Sequence, residues 1–272
     1  MKKLLTYICF LMLFVSCEEQ TDRDLYPADN DFIVVDGIIT NELKVQIITI
    51  MKPVTTLNGQ PQPVSGATVL VSSNLLTHTF HEDNLHPGTY LSDRAFIGIR
   101  NETYSLLITS GNRNYSSKAV LEAPADFKFV DYQIDASDNE YRFGKVPFPY
   151  NPLSSAMYEI HLDWSSVKGY QNQNPDSCRA KLFYYTLPTL DVSELFAPNF
   201  EKVSFPSGTI ITERRYSLTD EHAAFLRAVL LETTWQGGYF NTASANIPTN
   251  LSAGGMGFFG ACGVWEKQET AK

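Results

Sequence analysis

The chain has 272 residues, a formal net charge of −9 at pH 7 and four cysteines. That length is enough for two domains of ordinary size. The acidic balance argues against nucleic acid and anionic lipid as partners, because both would be repelled.

The first element is a leader, residues 1–16. Lys2 and Lys3 supply a positive start and Leu4 to Val15 an apolar run, as in a secretory signal. The run is shorter than the roughly 18 to 20 apolar residues a membrane span needs. It ends at Phe14-Val15-Ser16-Cys17, which resembles a bacterial lipobox, with Phe14 in place of the usual Leu. The resemblance implies that the Cys17 thiol is diacylated, that the leader is cut before it, and that the new amine is acylated, with palmitate among such chains. An ordinary cleaved leader followed by an incidental cysteine is the alternative. Loss of residues 1–16 removes Lys2 and Lys3 and leaves 19 basic against 30 acidic residues, a formal charge of −11. Attachment then rests on the acyl chains, each buried methylene contributing about 0.8 kcal/mol.

Residues 17–30 form a tether that opens with Glu18-Glu19-Gln20-Thr21-Asp22-Arg23-Asp24. Such a stretch has nothing to pack. It is either a solvated spacer or, by resemblance to Bacteroidetes lipoproteins, a surface-export signal.

Residues 31–123 read as a β-sandwich of seven short strands with turns every eight to twelve residues. Phe32 to Thr40 is apolar on both alternating sets, as in a central strand. Val45 to Met51 follows, then a Pro/Gly loop, Leu57 to Pro63. Ala67 to Ser72, residues 76–82, residues 89–92, Tyr104 to Thr109 and Tyr115 to Leu121 complete the set.

Ala123-Pro124-Ala125 marks the boundary to a second β-rich domain, residues 124–272, with one helix at about 218–234. Its strand candidates are Phe127 to Asp135, Tyr158 to Trp164, Cys178 to Leu187, Phe200 to Thr212 and Gly255 to Trp265. Tyr158, Ile160 and Leu162 alternate with Glu159, His161 and Asp163, an amphipathic strand. Ser217 or Thr219 can cap the helix, Asp220 and Glu221 suit its first turn, and Phe225, Leu226, Val229 and Leu230 mark its apolar face. The loops Val146 to Pro152 and Tyr170 to Pro175 lack an apolar period and belong on the surface. Phe148, Tyr150 and Tyr170 there are candidates for a ligand or partner surface, or else they cap a small core.

The stretches Val34 to Asn41, Pro63 to Val69, Pro87 to Tyr90 and Tyr104 to Ile108 together resemble the N-terminal half of domain-of-unknown-function family 4249. A capped helix at Ser217 to Thr233, an Asn/Pro loop at Ala245 to Leu251 and a closing strand, Gly257-Phe258-Phe259-Gly260-Ala261, extend the likeness. The resemblance implies an outer-membrane lipoprotein of Bacteroidetes, often associated with TonB-dependent transporters. It implies no catalytic residues.

The residues themselves point to no reaction. His78, His81, Glu82, Asp83 and His86 form the densest group of possible ligands, but His78 and His81 fall on opposite strand faces and do not converge as zinc requires. Neither a metal nor a cofactor is expected. Glu159, Asp163 and Glu221 read as solvated faces of a strand and a helix. Gly254 to Gly257 reads as a bulged entry to the last strand. Cys178 and Cys262 remain as the two thiols outside leader and anchor. In an oxidising compartment they either pair, for about 4 to 5 kcal/mol in the chain-entropy model, or stand as separate small apolar residues. The expectation is a non-enzymatic, surface-facing outer-membrane lipoprotein serving a TonB-dependent β-barrel transporter. A stand-alone adhesin or glycan-binding lipoprotein is the alternative.

Overall fold

A computed structural model describes residues 32–54, 59–135, 140–143, 155–187, 203–233 and 247–272. Cys17, the leader, the tether, Phe148 and Tyr150 lie outside the described residues.

Among the described residues the architecture is mainly β with one α-helix. The seven strands expected from alternation all form: β1 (Ile33–Thr40), β2 (Ile47–Met51), β3 (Thr68–Ser72), β4 (Thr77–Glu82), β5 (Thr89–Ser92), β6 (Thr103–Ser110) and β7 (Arg113–Val120). Each buries every second residue, as in the run Val69, Val71 on β3 and Tyr104, Leu106, Ile108 on β6, which is what a pleated strand with one covered face requires. Their inward residues share one core with Phe259 and Ala261 from the far end of the chain.

Those last two residues belong to β14 (Gly255–Cys262), which pairs in parallel with β1 from Ile33↔Gly255 to Thr40↔Cys262. The first sheet therefore has eight strands in the order β14-β1-β2-β5-β4-β3-β6-β7. The closing strand, read from sequence as part of the second domain, completes the first sheet. Gly257 makes the approach possible: its φ is +82°, and a Cβ there would meet the Val35 carbonyl oxygen at 2.1 Å. The ends of this sheet meet through Asn250. Its side-chain amide donates to Phe259 O on β14 at 2.7 Å and to Lys118 O on β7 at 3.3 Å, and its Oδ1 accepts from Phe259 N at 3.1 Å. The sheet is thus rolled and sandwich-like, its two edge strands bridged by a side chain.

The second part holds β8 (Tyr132–Asp135), β9 (Glu140–Phe143), β10 (Ala156–Asp163), β11 (Arg179–Thr186), β12 (Ser204–Phe205), β13 (Ile210–Ser217) and β15 (Val264–Thr270). They build a four-stranded sheet, β11-β10-β13-β15, and a three-stranded one, β12-β9-β8. Between them lies a core of Tyr158, Ile160, Leu162, Tyr184 and Phe205, with Tyr132 and Tyr141 set edge-on at 5.3 Å. The run expected as one strand from Phe200 to Thr212 is broken by a turn at Pro206 to Thr209, where Thr209 N and Oγ1 both donate to Pro206 O.

The helix α1 (Asp220–Thr233) is capped by Thr219, whose Oγ1 accepts from His222 N at 3.2 Å. Its buried residues are His222, Ala223 and Leu230, with Leu226 packed beside them. The expected face is covered in part, with Leu230 buried, Leu226 beside it and Phe225 half-buried and stacked on Phe258 at 5.0 Å, and it extends to His222 and Ala223, which the apolar pattern did not include.

Candidate functional site

The strand β10 has two faces, and the one turned away from its core carries the chemistry. Cross-strand register sets Phe183, Glu159, Arg214 and Glu266 in one row across the four strands. Glu159 is only 6% exposed, a correction to its expected place on a solvated face. It is buried because long side chains from both neighbouring strands close over it.

Its oxygens are fully engaged. Oε1 accepts from Lys181 Nζ at 2.5 Å and from His161 Nε2 at 2.7 Å. Oε2 accepts from the Tyr216 hydroxyl at 2.7 Å and faces Arg214 Nη1 at 3.6 Å. Burial works to raise its pKa, but the bonds from Lys181, Tyr216 and His161 outweigh it and hold the carboxyl down at about 2. Burial and the bond to Glu159 together push the Tyr216 phenol upward. Arg214 also reaches Glu42, on the turn after β1, with Nη2 2.5 Å from Oε1. One charged chain thus runs from the first sheet to the middle of the second. Such a network fixes geometry. Its central acid stays ionised and has no proton to give.

One end of this face is closed by α1. Leu187, Tyr216, Leu218, Ala223, Leu230, Cys262 and Val264 form a small apolar cluster there. Inside it, His222 Nδ1 lies 3.6 Å from Cys262 Sγ. The imidazole stacks on Phe258 at 4.6 Å and rests over Gly260, where a Cβ would come within 2.8 Å of the ring. The pair has the composition of a nucleophile and base, but burial drives both the other way. It lowers His222 to about 4 and raises Cys262 to about 12, so neither is ionised near neutral pH. The pair is a neutral packing contact.

At the edge strand β11, Phe183 is a half-exposed ring with Lys181 Nζ 4.9 Å from its centroid, and at the opposite edge, β15, Gln268 donates to Thr212 Oγ1 at 3.0 Å.

Cys178 and Cys262 are both buried and free. Cys178 precedes Arg179, which pairs with Asp163, while Val264 beside Cys262 pairs with Tyr216, opposite Met157. The two thiols therefore sit at opposite ends of the sheet, about 20 Å apart along β10 at 3.3 Å per residue, far beyond disulfide reach. The expected bridge is not formed.

Tyr170 is half-buried within successive turns, its N–H bonded to Val167 O at 3.0 Å. It is not brought near the open face by any bond among the described residues. The histidines near β4 disperse: His78 stacks on Phe96 at 3.9 Å and meets Asp93 Oδ1 at 3.2 Å, while His86 pairs with Asp83 at 2.7 Å. Among the described residues no group of three or more His, Cys, Asp or Glu side chains is arranged to hold a metal ion.

Two buried ionisable residues had no signal in the sequence. Glu213, fully buried on the opposite face, accepts from Val130 N at 3.0 and 3.2 Å, and burial raises it to about 8. Arg215 donates to Ser217 Oγ at 2.7 Å and to the Tyr158 hydroxyl at 3.3 Å. Both lie past Thr212, where the strand was expected to stop.

The family model for a domain of unknown function (DUF4249) matches residues 18–268. The chain belongs to this family. No curated protein and no solved structure matches it. The Asn/Pro loop and the closing strand of this chain are joined by the paired bonds between Asn250 and Phe259.

Proposed function

We propose that the protein is a lipid-anchored outer-membrane lipoprotein, facing the cell surface. It acts as a non-enzymatic accessory or ligand-capture component of a TonB-dependent β-barrel transporter. The observation that carries the first half is a coincidence of boundaries. The family match begins at residue 18, one residue after Cys17 of the lipobox-like Phe14-Val15-Ser16-Cys17. That supports a leader cut before Cys17.

The second half is supported by the chemistry of the second sheet. Its acids and bases are spent on one another: Glu159 is ionised and saturated, and His222 and Cys262 are neutral. What such a face offers is a rigid surface, with Phe183 and Lys181 accessible on its edge strand β11. A face of this kind suits recognition, with an aromatic ring beside a cation.

Two measurements test the reading. Cys17→Ala should move the protein from the outer-membrane to the soluble fraction, and retention in the membrane would remove the acyl chains as the sole attachment. Mild-detergent extraction of the native protein should bring a β-barrel partner with it. Recovery of the protein alone, bound to an extracellular polymer, would instead favour the adhesin.

A further inference from the structure

The outer face of the first sheet is covered only in part. On β14 the outward residues include Phe258 and Gly260, and α1 lies over both. Phe225 stacks on Phe258 at 5.0 Å, and the His222 ring fills the space where a side chain at Gly260 would stand. Ile38, on the neighbouring β1, packs against the same apolar cluster. Beyond it, on β1 and β2, the cover ends. Ile47 is 50% exposed, Asp36 is exposed, and Val34, Thr49 and Met51 are half-buried.

Register joins these residues into one surface. Asp36 stands between Phe258 on β14 and Thr49 on β2, and Val34 pairs with Met51 in the row on one side. The same register sets Ile38 beside Ile47 in the row on the other side, with Leu91 of β5 opposite Ile47. Cross-strand neighbours hold their Cβ atoms about 5 Å apart, so the side chains of each row touch. A single carboxylate therefore sits in the middle of an aliphatic strip. Among the described residues nothing bonds to it. Desolvation raises its carboxyl above the ordinary range, and no cation brings it back.

We infer that this strip receives an amphipathic helix of a partner protein, with a lysine or arginine at the centre of its apolar face. The backbone excludes an added strand. β1 lies between β14 and β2, and β2 between β1 and β5, so neither has a free edge and recognition goes through side chains. The width fits a helix. From β1 across β2 to β5 is two strand spacings, about 10 Å, close to the diameter of a helix, and α1 already fills the adjoining place in that layer. The pitch fits as well. Alternate residues of a strand lie about 6.6 Å apart, and helix positions i and i+4 about 6 Å. A base over Asp36 thus sets its apolar neighbours over the Val34–Met51 and Ile38–Ile47 rows. Charge decides between protein and lipid: an unpaired, partly desolvated carboxylate is relieved by a cation, whereas a hydrocarbon surface would desolvate it further. The strip belongs to the first sheet, not to the face that carries Phe183 and Lys181, and the inference does not rest on the lipid anchor.

The test uses the full chain and two fluorescein-labelled helical peptides of about five turns. They are alike except that the centre of a leucine-rich face holds Lys in one and Glu in the other. Fluorescence anisotropy should show the Lys peptide binding about tenfold or more tighter. Asp36→Asn should remove most of that difference, and Asp36→Lys should invert it. Ile47→Ser should weaken both peptides, while Leu107→Ser, at an exposed aliphatic residue elsewhere on the sheet, should weaken neither. Far-UV spectra and melting temperatures check the fold of each variant, and Asp36→Asn alone decides the matter if Asp36→Lys does not fold. Equal affinities for the two peptides, no binding of either, or a Lys preference that survives in Asp36→Asn overturns the proposal. Self-association of the chain that displaces the peptide and is lost in Asp36→Asn would assign the strip to a second copy and overturn the helical partner.

Discussion

Glu42 and Arg214 meet at 2.5 Å between the turn after β1 and the middle of β13, 172 residues apart in sequence. The pair is partly covered, with Glu42 also accepting from Lys44 at 2.9 Å and from Thr40 Oγ1 at 3.0 Å. Burial works to raise the Glu42 pKa, and Lys44 and Arg214 together bring it below its ordinary value. Arg214→Met keeps much of the side-chain volume and removes the cation facing Glu159, Glu42 and Glu266. It should cost about 1 to 3 kcal/mol, between the values for exposed and buried pairs. Glu42→Gln should cost less, because Arg214 loses one of three acidic partners and keeps Glu159 and Glu266, while Lys44 is itself half-exposed. Urea unfolding of both variants and of the double variant checks the coupling. Additive losses would show that the two sites act independently.

Glu159 makes stability fall in acid. Its folded pKa, about 2, lies below the unfolded value of about 4.5, so its contribution is full above the unfolded pKa and is lost as pH falls through 2. The effect is at most roughly 3 kcal/mol, from 1.36 kcal/mol per unit. Glu159→Gln should be destabilised at pH 7 and should decline less steeply than the native protein between pH 5 and 2, the remaining slope coming from other depressed carboxylates such as Glu42 and Asp163. Denaturant midpoints across that range report it, and parallel slopes would remove Glu159 as the source.

How much of this could be read in advance depended on whether the signal was local. The strands β1 to β7 were legible because period-two alternation in runs such as Ala67 to Ser72 has one explanation, a half-covered pleat. The cap at Thr219 was legible for a similar reason, a polar residue ahead of Asp220 and Glu221. The parallel pairing of β14 with β1 had no local trace, since it joins residues more than 200 positions apart. The burial of Glu159 was hidden because an acid alternating with apolar residues reads as solvent-facing. Only the register with Lys181 and Arg214 reveals the cover. His222 had a weak signal: Ala223, Leu226 and Leu230 follow an i, i+3, i+7 pattern that puts position 222 on the same side. The four-residue strand β9 was too short to show a period at all.

Cys178 and Cys262 should both be recovered as free thiols. Each is fully buried, and burial raises the Cys262 thiol to about 12, which leaves almost no thiolate for reaction in the native state. Alkylation of the native protein should leave both peptides unmodified. Alkylation after denaturation without reductant should label both completely. A 178–262 peptide pair surviving under those conditions would contradict the separation of the two ends of the sheet.

Glu213 should act in the opposite sense to Glu159. It is fully buried, and desolvation lifts it to about 8 against the partial relief of the Val130 N–H and of Lys267, with Glu269 adding to the rise. The folded state therefore holds a proton that the unfolded chain releases above about 4.5. Stability from this group is full below 4.5 and is lost as pH rises through 8. Glu213→Gln is nearly isosteric, and its amide oxygen can still accept from Val130 N. It cannot ionise, so the variant should match the native protein near pH 5 and exceed it at pH 9. Thermal melts at the two pH values make the comparison. The decisive quantity is the sign of the difference at pH 9: a variant less stable there would mean that Glu213 is ionised in the fold and held by its hydrogen bonds.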